Sequence, residues 1–87
     1  MKKYQVDIAS NTLGHETLML ELQETVETIT KRAEENALWV FINGTKFEFT
    51  GSNLRSEQNQ TKLTQAIEQA EEPHSILLTG ELRGGSK

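Results

Sequence analysis

The 87-residue sequence predicts an α+β domain, one small mixed sheet with helices packed on it. Three features lead there. Apolar residues alternate with polar ones at the N-terminus, two apolar-aromatic runs flank an Asn43-Gly44 pair, and two later stretches repeat apolar residues at helical spacing. A period of two belongs to a half-buried strand and a period near 3.6 to an amphipathic helix.

Tyr4, Val6 and Ile8 alternate with Gln5, Asp7 and Ala9, which predicts a strand over residues 3–9. Ser10, Asn11, Thr12 and Gly14 then cluster as turn formers. Residues 17–22 fit two periods. Leu18, Leu20 and Leu22 share one strand face, or Leu18, Leu22, Val26 and Ile29 line one helix. From Thr25 only the helix survives, with Val26, Ile29, Ala33 and Ala37 on one face and Thr25 as N-cap, giving a helix over 25–36. Asn43-Gly44 readily takes the positive φ angles of a two-residue turn, so strands over 38–42 and 45–49 form a hairpin. Leu63, Ala66, Ile67 and Ala70 mark a second helix over about 56–72, which Pro73 ends. Residues 75–79 form a last strand; a single domain spans 1–82 and residues 83–87 are a flexible tail.

If 17–22 is helical, the order is β-α-β-β-α-β, as in ferredoxin-like domains. If it is extended, the order is β-β-α-β-β-α-β, a β-grasp with an added helix. The short turn cluster before this stretch joins two alternating segments as hairpin turns do, which favours the β-grasp order.

A chain of this length buries only roughly 60% of its unfolded surface, so one thin core is all it can build. The net charge of −4 and scattered basic residues leave no footprint for a phosphate backbone, so nucleic acid is not an expected partner. Without cysteine there are no disulfides, thiolate chemistry or cysteine metal sites. The longest apolar run, residues 37–42, is far short of the ~20 residues that span a bilayer, and polar residues interrupt any signal-peptide core after Lys2-Lys3. A cytoplasmic protein without membrane association is expected. Asn43-Gly44-Thr45 and Asn59-Gln60-Thr61 match the glycosylation pattern, but in that compartment they are turn or cap residues.

No catalytic constellation is visible, and no enzyme, metal or cofactor is expected. His15 and His74 fall in expected turns without cysteine partners, and the five serines have no base at a recognisable spacing. Glu34-Glu35 and Glu71-Glu72 sit at helix ends, where neighbouring side chains diverge into solvent. Phe47 and Phe49 could stack bases, but Glu48 and the missing flanking glycines favour core packing. Residues 38–42 are apolar on both sides. Val40 and Ile42, with Ile76 and Leu78, suit the inner face, leaving Trp39, Phe41 and Leu77 for the second helix to cover or for a protein partner to dock on.

Leu82-Arg83-Gly84-Gly85 reproduces the four-residue C-terminus of mature ubiquitin. With the β-grasp order, the chain resembles the ubiquitin family elsewhere too: Thr12-Leu13-Gly14 in the first turn, Thr25-Val26-Glu27-Thr28-Ile29 at the helix opening, and Val40-Phe41-Ile42-Asn43-Gly44 in the third strand and its turn. The resemblance implies a non-enzymatic modifier or interaction domain. An activating enzyme would adenylate the Gly85 carboxylate and pass the acyl group through a thioester to an amine, with the side-chain-free glycines threading a narrow channel. Leu13, Phe41, Leu77 and Thr79 would then form the partner-docking patch. The chain departs from the family at three places. Ser86-Lys87 would need removal by a processing peptidase, Glu81 stands where ubiquitin has an arginine, and the second helix replaces a loop and short strand. Oligomeric state is not legible.

Overall fold

The computed structural model describes residues 2–10, 14–36 and 38–80. Its elements are β1 (Tyr4–Ser10), β2 (Gly14–Leu20), α1 (Leu22–Asn36), β3 (Leu38–Ile42), β4 (Thr45–Phe47), α2 (Glu57–Gln69) and β5 (His74–Gly80). They form an α+β structure with one mixed five-stranded sheet in the order β2-β1-β5-β3-β4. The two terminal strands meet at its centre: β1 runs parallel to β5, with Ile8 beside Ile76. The remaining pairs, β1 with β2 and β3 with both β4 and β5, are antiparallel.

The stretch that fits two periods is extended as far as Leu20, pairing Val6 with Leu18 and Tyr4 with Leu20. Leu22 belongs instead to α1, which starts three residues before Thr25. Thr25 is therefore not the cap. Its N–H donates to the Glu21 carbonyl at 2.9 Å, as an interior helical amide does, and its hydroxyl donates to the same oxygen at 2.9 Å. The cap is built from acids: the Glu24 carboxylate accepts the Glu21 N–H at 2.9 Å, the backward half of a capping box. Ser56 caps α2 with its hydroxyl oxygen accepting the Asn59 N–H at 3.2 Å.

The core is a single cluster. Val6, Ile8, Val40, Ile42, Ile76 and Leu78 face one side of the sheet and meet Val26, Ile29 and Ala33 of α1 and Leu63 and Ile67 of α2. Both helices thus cover the same face. The i, i+3, i+7 spacing on α1 and i, i+4 spacing on α2 supply the stripes. Each fully buried Ile or Leu contributes about 1.5–3 kcal/mol through removal from water.

Neither histidine lies in a turn. His15 is an exposed residue of β2, and His74 opens β5, where its phase with Ile76 and Leu78 turns it inward. The His74 ring meets the Tyr4 ring edge-on at 5.2 Å and lies 3.2 Å from the Ala70 carbonyl through Nε2. A carbonyl only accepts, so Nε2 carries the hydrogen, and Nδ1 is left as a buried acceptor without a partner. Phe49 also falls outside its expected strand, since β4 ends at Phe47; the two rings meet edge-on at 5.0 Å and pack against the core.

Two polar clusters tie α2 to the rest. Asn59 is fully buried; its amide donates to the Thr50 carbonyl at 2.9 Å and the Asn53 carbonyl at 2.8 Å, and its Oδ1 accepts the Thr50 N–H at 2.7 Å. Arg55, just ahead of the α2 cap, is gripped twice: Nη1 and Nη2 donate to Glu27 at 2.8 and 3.0 Å, and Nε donates to both oxygens of Glu34 at 3.0 Å. That fork holds the Glu27 carboxyl below its ordinary value and the guanidinium above its own; the hydrogen bond to Arg55 outweighs the opposing loss of solvation at Glu27. A further ion pair, Arg32 with Glu16, joins α1 to β2.

Asn59→Ala is expected to cost about 2 kcal/mol in urea denaturation, because buried main-chain groups lose their partners. Asn59→Asp should cost more, since a carboxylate oxygen would face two carbonyls. A smaller loss for Asp than for Ala would contradict the hydrogen-bond assignment. For Glu27 the sign follows from a depressed acid: its stabilisation is present above the ordinary value of 4.5 and is lost as pH falls below it. Thermal melts should therefore show Arg55→Gln less stable than wild type at neutral pH, with the gap closing in acid and in high salt.

Candidate functional site

With both helices on one face, the other face of the sheet is bare among the described residues. Register shows what lies on it. His15 of β2, Ala9 of β1, Leu77 of β5, Phe41 of β3 and Lys46 of β4 are successive cross-strand partners and form one row across all five strands. At about 4.8 Å per strand, the row is roughly 19 Å long. Trp39 and Thr79, themselves partners, lie beside it, and Thr17, Asp7 and Ser75 flank its other side.

The centre of this face is apolar and partly open. Trp39 is 42% exposed and Leu77 39%, while Phe41, Ala9 and Thr79 are half-buried. Lys46 lays its ammonium 4.0 Å from the centre of the Trp39 ring, a contact worth about 0.5–1 kcal/mol at an exposed site and one that holds the ring in place. Met19, 56% exposed, stands apart opposite Gln5. An aromatic and aliphatic row with a cation at one end can adhere to a partner's apolar side chains and meet a carboxylate at Lys46.

Of the four residues expected in the docking patch, Phe41 and Leu77 are direct partners in this row and Thr79 sits next to it; Leu13 lies outside the described residues. Leu82, Arg83, Gly84 and Gly85 also lie outside them. Trp39, which the sequence places with Phe41 and Leu77 on the outer side of the sheet, joins the patch, and Lys46 and Ala9 are additions to it. The signal for Trp39 is the strand phase it shares with Phe41. Lys46 and Ala9 become visible only once the strand register is known.

Other surface features carry less chemistry. A groove of about 270 Å³ between the β3–β4 hairpin and α2 is walled by Ile42, Phe47, Ala66 and Ala70, with Lys46 as its one charged lining residue. Among the described residues, no group of three His, Asp or Glu could hold a metal ion. No helix of the described residues is long and apolar enough to cross a membrane.

The two faces of β5 make a direct comparison. Leu78→Ala, on the core side, should cost about 2–5 kcal/mol. Leu77→Thr, on the bare side, should change stability by less than about 1 kcal/mol, because it keeps a branched side chain on an already hydrated strand face. Chemical denaturation of both variants checks this; equal losses would mean that the outer face is covered.

Comparison with protein families, with curated proteins and with solved structures gives no match to this chain.

Proposed function

We propose that this chain is a non-enzymatic, ubiquitin-like protein-interaction domain of the β-grasp type, docking protein partners on its bare sheet face and serving as a modifier when its tail is processed to Gly85. The observation that carries this reading is the sheet order β2-β1-β5-β3-β4 with a parallel central pair, because it puts both helices on one side and leaves Ala9, Leu77 and Phe41 in one open row. The extended conformation of Gly14–Leu20 supports this order over the ferredoxin-like one, which needs a helix after the first strand. Leu82-Arg83-Gly84-Gly85 follows soon after β5, where an acyl-transfer tail of this family would leave the sheet.

Docking follows from burial. A partner helix or loop that seats apolar side chains on Phe41, Leu77 and Trp39 removes their exposed area from water at about 25 cal/mol per Å². Aromatic centres of this kind dominate the energy of small interfaces. Cytoplasmic residence, an activating enzyme and a processing peptidase belong to the modifier half of the proposal.

Two measurements separate the halves. Peptide mass analysis of the protein from its native cells should find chains ending at Gly85, and trypsin, cutting after Arg83, should leave Gly84-Gly85 branches on target lysines. Chains that all retain Lys87, with no branched peptides, would remove the modifier role. For docking, a photo-crosslinker placed beside Phe41 should capture partners that Leu77→Glu loses while its circular dichroism is unchanged. Equal capture by both proteins would remove the patch.

A further inference from the structure

The turn between β3 and β4 contains the sequence's sole Asn-Gly pair. Asn43 has φ of 48° and Gly44 of 88°, the left-handed values that a two-residue hairpin turn needs. Its side chain does more than shape the turn. Oδ1 accepts the Ser75 N–H at 2.7 Å, Nδ2 donates to the Glu71 carbonyl at 2.9 Å, and the Asn43 N–H donates to the Ser75 carbonyl at 2.7 Å. Three hydrogen bonds from one residue thus latch the hairpin to the segment joining α2 and β5.

Asn-Gly carries its own chemistry. The Gly44 main-chain nitrogen, once deprotonated, can attack the Asn43 Cγ. The new N–C bond closes a five-membered succinimide, the bond to Nδ2 breaks, and Nδ2 leaves as ammonia, taking up a proton. Water then opens the ring at either carbonyl to give aspartate or isoaspartate. Gly44 has open space where a Cβ would stand, so nothing crowds the attacking nitrogen from that side.

We propose that Asn43 is a conditional self-modification site: the latch to Glu71 and Ser75 holds its amide away from the Gly44 nitrogen, and conversion to aspartate or isoaspartate proceeds when the latch opens. The Ser75 N–H polarises the amide carbonyl, which favours attack. Positioning decides against it, because both ends of the amide are committed to the 71–75 segment and an ångström of misplacement costs on the order of a hundredfold in rate. Conversion is also self-reinforcing. Aspartate has no hydrogen to donate and places a carboxylate against the Glu71 carbonyl, while isoaspartate adds a methylene to a two-residue turn whose register sets Phe41 beside Lys46.

The test follows Asn43 by peptide mapping, reading the unit mass gain and the isoaspartyl product, in native protein and in denaturant at the same mildly alkaline pH and temperature. Conversion on the order of a hundredfold slower in the native protein is expected. Equal rates would overturn the latch. Asn43→Gly, which tolerates the positive φ and removes both side-chain bonds, tests the hold: exchange of the Ser75 amide hydrogen should accelerate and the melting temperature should fall. Unchanged exchange at Ser75 would show that the amide does not hold the 71–75 segment.

Discussion

The parallel pairing of β1 with β5 is the constraint on which the rest of this structure depends. These strands are the first and last of the described chain, and Val6 to Ser10 lie beside His74 to Leu78 in the middle of the sheet. Parallel neighbours cannot be joined by a tight turn, so the chain between them must cross over the sheet before it returns as β5. α1 carries the chain to β3, which pairs with the far side of β5, and α2 brings it back after β4. Both crossings lie on one face, because one core can bury only one set of inward residues in a chain of this length. The bare opposite face, with its row from His15 to Lys46, is therefore a consequence of topology.

Much of this was legible because it is local. Asn43-Gly44 chose its turn by backbone chemistry alone, and the inner set of Val40, Ile42, Ile76 and Leu78 followed from strand phase. What the sequence left open depended on distant partners. Leu18 and Leu22 satisfy either period, and pairing with Val6 and Tyr4 is what holds Leu18 and Leu20 extended. Thr25 resembled a cap because threonine is common there, yet it is buried one turn into α1 and capping falls to Glu24, whose reach back to Glu21 has no strong sequence mark. His74 looked like a turn residue beside Pro73; the register of β5 against β1 points it inward.

The polar groups show the same division. The paired acids at the helix ends are exposed, as expected, but two of them also make specific contacts. Glu34 shares Arg55 with Glu27, an i, i+7 pair along α1 bridged by a loop residue twenty positions away or more. Glu72 accepts the Gln5 N–H at 2.9 Å, tying the approach to β5 to the start of β1. Such contacts are invisible to periodicity because they depend on how elements meet. For the candidate site, register supplied what composition could not: Ala9 and Lys46 complete a row that strand phase alone had begun with Phe41 and Leu77.

Nuclear Overhauser contacts across the sheet in solution test the central pairing most directly. The account predicts short inter-strand contacts between Ile8 and Ile76 in a parallel pattern, between Val6 and Leu18 in an antiparallel one, and extended-strand chemical shifts from His15 through Leu20. Helical shifts over that segment, or a β1 whose neighbours exclude β5, would contradict it and remove the open row on which the functional reading stands.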